Sequence, residues 1–557
     1  MKTASYSWVL LLFTLGIWAQ EQEIEIRQAG SFQLDEVNFP GANILERSTT
    51  KQVHLVHEGM DIWSDKAFFY KKENRFDAFG NIRIIQGDSL NLTSKSVSYN
   101  GNTKLAVAKV DVFLDNKEMI LETDTLYFDR IENKGYYPTK GVVYDSLTTI
   151  ESQYGTYFSA TKKYQFEKQV IVTHPDFILT TNRMDFYTDI KHAFFYGPSK
   201  IEGQDYVVLC QQGFYDTQNK KGFFKKNASI DYNQRNIVGD SIYFDDTKQY
   251  AAATFNVKMT DTINNTFLTG NYGQVFKAKD SAMVTHRAVA TNLVAQDSLF
   301  IHADTLIATG PPEKRIIRGF HDARIFKEDL SGKMDSIHFN QKTGRAKLIR
   351  RPINERELQY LTPQEISARN PILWSNTSQM TGDEIHLLID NEKEVLDSLL
   401  IYNNAFVIEQ DSLNPDNFNQ IKGLQLKGKF NGRSLETVDV IQNTEMVYFI
   451  YDDETLDLVG IDKAICSALR LDFIESAIDK VTFFTKPDGI VYPPNELPKN
   501  VRQLLGFKWR EEERISSKED LFHGVDLDKF AIKMITGKTP ESDFSNFTPT
   551  KKIKLAK

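Results

Sequence analysis

The chain has only two cysteines in 557 residues, Cys210 and Cys466. They lie too far apart for a metal motif and no Cys-x-x-Cys occurs, so they read as two free thiols that could pair only if folding brought them together. There is no Ser-His-Asp spacing, no glycine-rich phosphate loop and no His-Glu-x-x-His. No catalytic residue, metal ligand or cofactor is therefore assigned, and the chain does not read as an enzyme. His54 and His57 are the one hint of a metal pair, but three residues apart on a strand they face opposite sides. Positive charge is not in excess. Lysine and arginine number 67 against 75 acids, a net −8, and no basic patch dominates, which argues against nucleic acid as a partner. Long apolar runs are also missing. Trp8–Trp18 spans 11 residues, short for a membrane span, and nothing later approaches 18.

What is present is ample core material, 41% hydrophobic and 12% aromatic residues, in a chain of mean hydropathy −0.40. That material is periodic. Asp124-Thr125-Leu126-Tyr127-Phe128 returns as Asp65–Phe69, Asp240–Phe244 and Asp335–Phe339, and more weakly at Asp304 and Asp383. With the fifth position as anchor, the copies fall at Phe69, Tyr99, Phe128, Phe158, Phe186, Tyr215, Phe244, Val275, Ala308, Phe339 and Leu387. The steps are 28 to 33 residues until a last one of 48. A period this steady predicts stacked repeats in one elongated body.

Each repeat carries two apolar pairs. One is the anchor and the residue two before it, such as Val97/Tyr99 or Met184/Phe186. The other lies seven and nine before it, such as Leu90/Leu92, Met119/Leu121 or Phe177/Leu179. A spacing of two puts each pair on one face of a strand. The gap of five between pairs is odd, so both can face one core only if the strand breaks register by a bulge or corner. The recurring acids, Asp65, Asp124, Asp240, Asp304, Asp335 and Asp383, lie in that gap and read as structural corner residues whose carboxylates accept local backbone N–H bonds. Six acids on equivalent positions do not make one active site.

In chain order, residues 1–20 read as a signal peptide, with Lys2, the apolar run and a cleavage point near Ala19 or Gln20. No cysteine follows the run, which excludes a lipoprotein. Residues 21–50 are a polar N-terminal segment, ordered only in part, and 51–390 are the β-repeats. The long last step holds Thr362-Pro363-Gln364-Glu365, a cap, a first-turn proline and a capping-box glutamate, which predicts a short inserted helix ending before Pro371. Residues 391–486 carry further repeats of weaker register. Residues 487–557 are a Pro-rich break, a helix over Val501–Arg514 and a loose basic tail.

Phe79-Gly80-Asn81-Ile82-Arg83-Ile84, Gln86-Gly87-Asp88, Val97-Ser98-Tyr99-Asn100-Gly101 and Asp124–Asp129, in this order and repeated, resemble the elements of the LptA/OstA-like (organic solvent tolerance) periplasmic lipopolysaccharide-transport family. Coverage is good over about residues 50–390. The resemblance implies an all-β fold, an antiparallel β-jellyroll (β-taco-like), V-shaped in section. It also implies an apolar groove that shields lipid A acyl chains in outer-membrane assembly. The periplasm is the implied location, in association with the outer membrane. The implied partners are lipopolysaccharide and the jellyroll domains of other transport components, joined by edge-to-edge strand pairing. This chain is much longer than a single bridge module and lacks the residues for an outer-membrane barrel. The candidate lipid-binding lining is Val97, Tyr99, Leu126, Phe128, Phe158, Met184, Phe186, Ile242, Phe244, Ile337 and Phe339. If the two sheets splay, this stripe is a slot for hydrocarbon; if they close, it is a core. Two other readings stand beside this one. The first is a structural or adhesin-like scaffold without ligand. The second is a carbohydrate-active β-helix, which needs acids clustered on one face, whereas these are spread evenly.

Overall fold

The computed structural model describes residues 23–524, except 89, 233–234, 264, 295–296, 391–394, 432–433, 453, 475–476 and 497–501. The signal peptide and the basic tail lie outside the described residues. The chain divides into two compact units, Met1–Gln204 and Asp205–Lys557, rather than the single body that the period suggests. Both are built almost wholly of antiparallel strands joined in sequence order by short turns.

The odd gap between apolar pairs is a corner. In the strand Leu90–Asn100, Leu92 and Ser94 are buried, Lys95 is exposed, and burial resumes at Val97 and Tyr99. The neighbouring strand Arg75–Gln86 shows why the face switches there. Phe79 pairs with Ser96 and Ile82 with Ser94, so Gly80 and Asn81 stand together against the single residue Lys95. This is a two-against-one bulge, and its residues are left-handed, with φ of 74° and 41°. Equivalent left-handed pairs sit at Val110/Asp111 and Lys168/Gln169 in the first unit. In the second unit they include Lys226/Asn227, Phe255/Asn256, His321/Asp322 and Asn403/Asn404. Each strand therefore bends at its middle, and its two halves contribute to two facing walls.

The recurring acids are the single residues facing these bulges. Asp65 stands against Gly80/Asn81, Asp240 against Phe255/Asn256 and Asp383 against Asn403/Asn404. Asp124 faces Val110/Asp111, while Asp304 and Asp335 face His321/Asp322 from either side. What bonds to what differs from the sequence expectation. The aspartates' own N–H groups donate to bulge carbonyls: Asp65 to Phe79 and Gly80, Asp304 to His321, Asp383 to Tyr402 and Asn403. The carboxylates mostly accept from side chains across the bulge. Asn81 Nδ2 donates to Asp65 at 2.6 Å, and Asn256 and Asn404 donate to both oxygens of Asp240 and Asp383. Among the described residues, Asp335 alone of these acids accepts a backbone N–H at its carboxylate, from Arg351, 16 residues on, at 2.8 Å. The reason is geometric: the bulge consumes the N–H groups beside the acid and presents its asparagine instead. Burial pushes the Asp65 carboxyl up, but hydrogen bonds from Gln52, Asn81 and Arg47 outweigh it and hold the group below its ordinary range.

Three further boundaries shift. Residues 21–50 hold the strands Glu25–Gln28 and Asn43–Glu46, which pair with the first repeat because Ile24, Ile44 and Leu45 are apolar enough to bury, and Ser31–Leu34, which pairs with Asn43–Glu46. Past residue 390 the strands are the longest in the chain, 14 to 18 residues from Val395–Gln410 to Leu458–Ile474. In the Pro-rich break, Asp488–Tyr492 is a further strand paired to Ile461–Ile465. The helix expected over 501–514 is absent among the described residues, where only Glu511–Glu513 makes a 3-10 turn. The segment is instead an irregular strap, turned at Gly506 (φ 95°), whose backbone is taken up by Gln420 and Gln379. The inserted helix is present as Pro363–Ala368, with the Thr362/Glu365 capping box, preceded by a second short helix, Glu355–Leu358.

Candidate functional site

The interior between the two walls is the one feature that every repeat builds. All eleven candidate lining residues come from the half-strands after the corner. In the first unit Val97, Tyr99, Leu126, Met184 and Phe186 are buried, whereas Phe128 and Phe158 are half-buried. In the second, Ile242, Phe244, Ile337 and Phe339 are buried. They are one wall. The opposite wall comes from the earlier half-strands, with Ile62, Leu92, Leu121 and Leu179 in the first unit and Ile237, Leu268 and Ile301 in the second, all buried. The sequence contained its signal, the pair seven and nine residues before each anchor, but the lining set left it out.

The walls meet. In the first unit Tyr137 Oη lies 2.7 Å from Ser152 Oγ, and His57 Nδ1 lies 2.8 Å from Tyr99 Oη. In the second, the rings of Tyr206 and Phe244 are 5.1 Å apart. His57 thus caps a tyrosine at the rim, while His54 stacks on Trp63 and contacts Asp61, so the two histidines share no site. Cys210 and Cys466 are buried free thiols, and burial pushes Cys210 up to about 12, far from reactivity.

On one side the walls are continuous through the corner backbone. On the other, two rows of turns face each other and are joined by charged and polar side chains. In the first unit Glu58 pairs with Lys104 at 2.7 Å and takes Arg130 at its carbonyl at 3.2 Å. Glu118 pairs with Lys162 at 3.0 Å and Thr188 at 2.9 Å, and Asp145 with Lys191 at 3.6 Å. In the second, Asp205 pairs with Lys277, Arg235 with Asp280 and Asp261 with Arg315, and Gln341 donates to Thr266 at 2.9 Å. The Lys104 hydrogen bond holds the Glu58 carboxyl below its ordinary range, and that from Lys162 does the same for Glu118. The V-shaped groove that the resemblance implies therefore stands shut in both units. Side chains fill the interior and ion pairs close the rims.

One cavity of about 40 Å³ breaks this packing in the second unit. Ile237, Met259 and Leu268 from one wall and Val275, Ala308 and Ile317 from the other line it, together with the rim residues Tyr232, Arg235, Asp261, Asp280 and Arg315 and the smaller polar side chains of Thr266 and Ser281. It has room for water or a small polar group, not for an acyl chain.

Residues 21–182 match the family described as OstA-like protein, and the elements Phe79–Ile84, Gln86–Asp88 and Asp124–Asp129 fall inside that match. No curated protein matches the chain. Among solved structures it is similar to LptH, the LptA homologous periplasmic component of the conserved lipopolysaccharide transport device from Pseudomonas aeruginosa. The identity is 15%, over 24% of this chain and 79% of that one, with a TM-score of 0.13, a value that carries no argument.

Proposed function

From an OstA-like segment at residues 21–182, and from a two-walled apolar interior that the repeats continue beyond it, we propose a non-enzymatic carrier in periplasmic lipopolysaccharide transport. In this reading the protein shelters acyl chains between its walls and passes them along equivalent repeats. One observation carries it: the walls share backbone only at the corner, and their rims are held together by side chains. Parting the rims breaks no strand ladder.

Magnitudes favour such opening. Most rim pairs are partly exposed, and each such pair contributes about 0.2–1 kcal/mol, so together they cost only a few; the buried pair Asp261–Arg315 is the costlier one to part. An acyl chain of about a dozen carbons gains roughly 10 kcal/mol on leaving water. As the rims part, each wall exchanges its packing against the other wall for packing against the acyl chain. Because successive repeats offer similar apolar pairs, sliding from one to the next costs little. Partners bearing the same jellyroll would dock on the terminal strands, whose unpaired edges otherwise invite aggregation.

The test is a photo-crosslinking residue at Phe186 or Phe128 in cells, with capture of lipopolysaccharide expected. Capture only from Thr125 or Tyr127, which alternate with the inward positions, defeats the proposal. The shut interior favours one second reading, a ligand-free scaffold, and that reading predicts no capture from either set.

A further inference from the structure

The cavity in the second unit carries more than a packing defect. Its lining holds two guanidinium groups, Arg235 and Arg315, beside a mainly apolar set of side chains that Thr266 and Ser281 interrupt. Arg315 is over nine-tenths buried. It pairs with Asp261, and its Nε donates to the Gly310 carbonyl at 3.2 Å. Its Nη2 has no hydrogen-bond partner among the described residues. Arg235 pairs with Asp280 and donates from Nη1 to Tyr232 Oη at 3.1 Å, and its buried Nε is likewise without a partner among the described residues. Buried polar groups are nearly always bonded, so two orphan guanidinium N–H groups at one cavity call for a ligand.

We propose that Arg235 and Arg315 form an acceptor site for the anionic headgroup of an amphiphile, a phosphate monoester or carboxylate, whose hydrocarbon tail enters the mainly apolar interior beside them. The planar guanidinium fork matches such oxygens, and bonds between charged partners are the strong ones. The four charges in the lining sum to zero, two arginines against Asp261 and Asp280. The headgroup therefore binds by exchange, taking the orphan N–H groups and loosening the arginine from its carboxylate. That exchange also unfastens two rim pairs, so the headgroup that docks there opens the space its own tail fills. The setting of Arg315 points the same way: burial and then the neighbouring Arg235 cation disfavour its charge, and an anion at its orphan N–H relieves both effects. The site rests on the acyl-shelter reading above and names where the polar end of the cargo is held.

The test uses the full mature chain and three probes, decyl phosphate, 1-decanol and inorganic phosphate, with binding read by calorimetry and native mass spectrometry. Decyl phosphate is expected to bind at least tenfold tighter than decanol. Arg315→Gln should lower that preference about tenfold and leave decanol binding unchanged, which also reports that the variant is folded. Asp261→Asn, which removes the competing carboxylate without touching an arginine, should raise decyl phosphate affinity several-fold. Equal binding of the two decyl probes, or a preference that neither variant moves, overturns this site while leaving the shelter intact. Inorganic phosphate binding as tightly as decyl phosphate overturns the amphiphile assignment and makes this a free-anion site. Failure of both decyl probes overturns the shelter, and the site with it.

Discussion

Two stretches of the second unit bend by the same device and diverge in everything else. From Tyr206 to Phe276 the strands are 11 or 12 residues long, and from Val395 to Ile474 they are 14 to 18. Both turn on left-handed pairs, Lys226/Asn227 and Phe255/Asn256 in the first stretch, Asn403/Asn404 and Gln442/Asn443 in the second. In the first, Asp240 is the single residue opposite both pairs; in the second, Asn403/Asn404 lies between Asp383 and Leu424, whereas Gln442/Asn443 lies between Leu424 and Ser467, with no aspartate opposite. A corner thus needs the bulge and not the aspartate. The carboxylate tethers the corner where it occurs, but the ladder bends without it.

The outer faces differ as well. In the long-stranded stretch Phe406, Ile408, Val447, Phe449 and Ile461 bury on the face turned away from the interior, against Leu504 of the C-terminal strap, with Phe507 and Trp509 beside it. In the short-stranded stretch Leu209 stays exposed. The largest expected effect tests this contrast. Leu504→Ala should cost about 2–4 kcal/mol by denaturant titration, the ordinary loss for a buried leucine. It should make the strap sensitive to protease, while crosslinking at Phe244 is unchanged. Loss of that crosslinking would mean that strap and interior are one structure.

Next in size is the anchor of the strap. Hydrogen bonds from Arg510 hold the Glu513 carboxyl down at about 2, with Lys333 adding to the effect. A carboxyl depressed on folding stabilises fully above its unfolded value near 4.5, and that stability is lost as pH falls towards about 2. Glu513→Gln should cost about 1–2 kcal/mol at pH 7 and progressively less in acid, followed by protease sensitivity of the strap against pH. Glu409 should behave with the opposite sign. Burial pushes its carboxyl up, against the Asn419 hydrogen bond. It therefore weakens the fold above its folded value and not below the unfolded one. Glu409→Gln should stabilise by about 1 kcal/mol at pH 7, a gain that vanishes as pH falls below about 4.5. A gain that persists in acid would assign the effect to packing.

The same contrast explains what was legible in the sequence. Repeats were visible where an aspartate opposes the bulge, because Asp-x-Φ-x-aromatic recurs in one register. Beyond Leu387 the bulges continue but Leu424 and Ser467 carry no such mark, and the longer strands stretch the spacing, so the pattern faded while the fold did not. The asparagines 16 residues after Asp65 and Asp240 were a legible signal of the left-handed pair that went unread. The rims were not legible. Glu58 and Lys104, or Asp261 and Arg315, are 46 and 54 residues apart, and only the stacking of corners brings them together. The strap read as a helix because its apolar residues are spaced loosely enough to fit one. Only the outer face it covers distinguishes the two.

The smallest expected effect bears on whether all corners are equal. Phe255 and Asn403 hold the first place of their bulges with the same φ, 56°. Asparagine visits the left-handed region readily, whereas a bulky side chain there meets its own carbonyl at a cost of about 1–2 kcal/mol. Glycine removes that conflict but loses about 0.5–1 kcal/mol in chain entropy. Phe255→Gly should therefore stabilise by roughly 0.5–1 kcal/mol, since the ring is 42% exposed and gives up little burial. Asn403→Gly should be neutral or slightly destabilising. Urea midpoints of the two variants decide the matter. If Phe255→Gly is destabilising, the exposed ring has a packing partner at the corner, and corner apolar residues such as Phe79 and Val110 then belong to a surface the repeats share rather than to strain they tolerate.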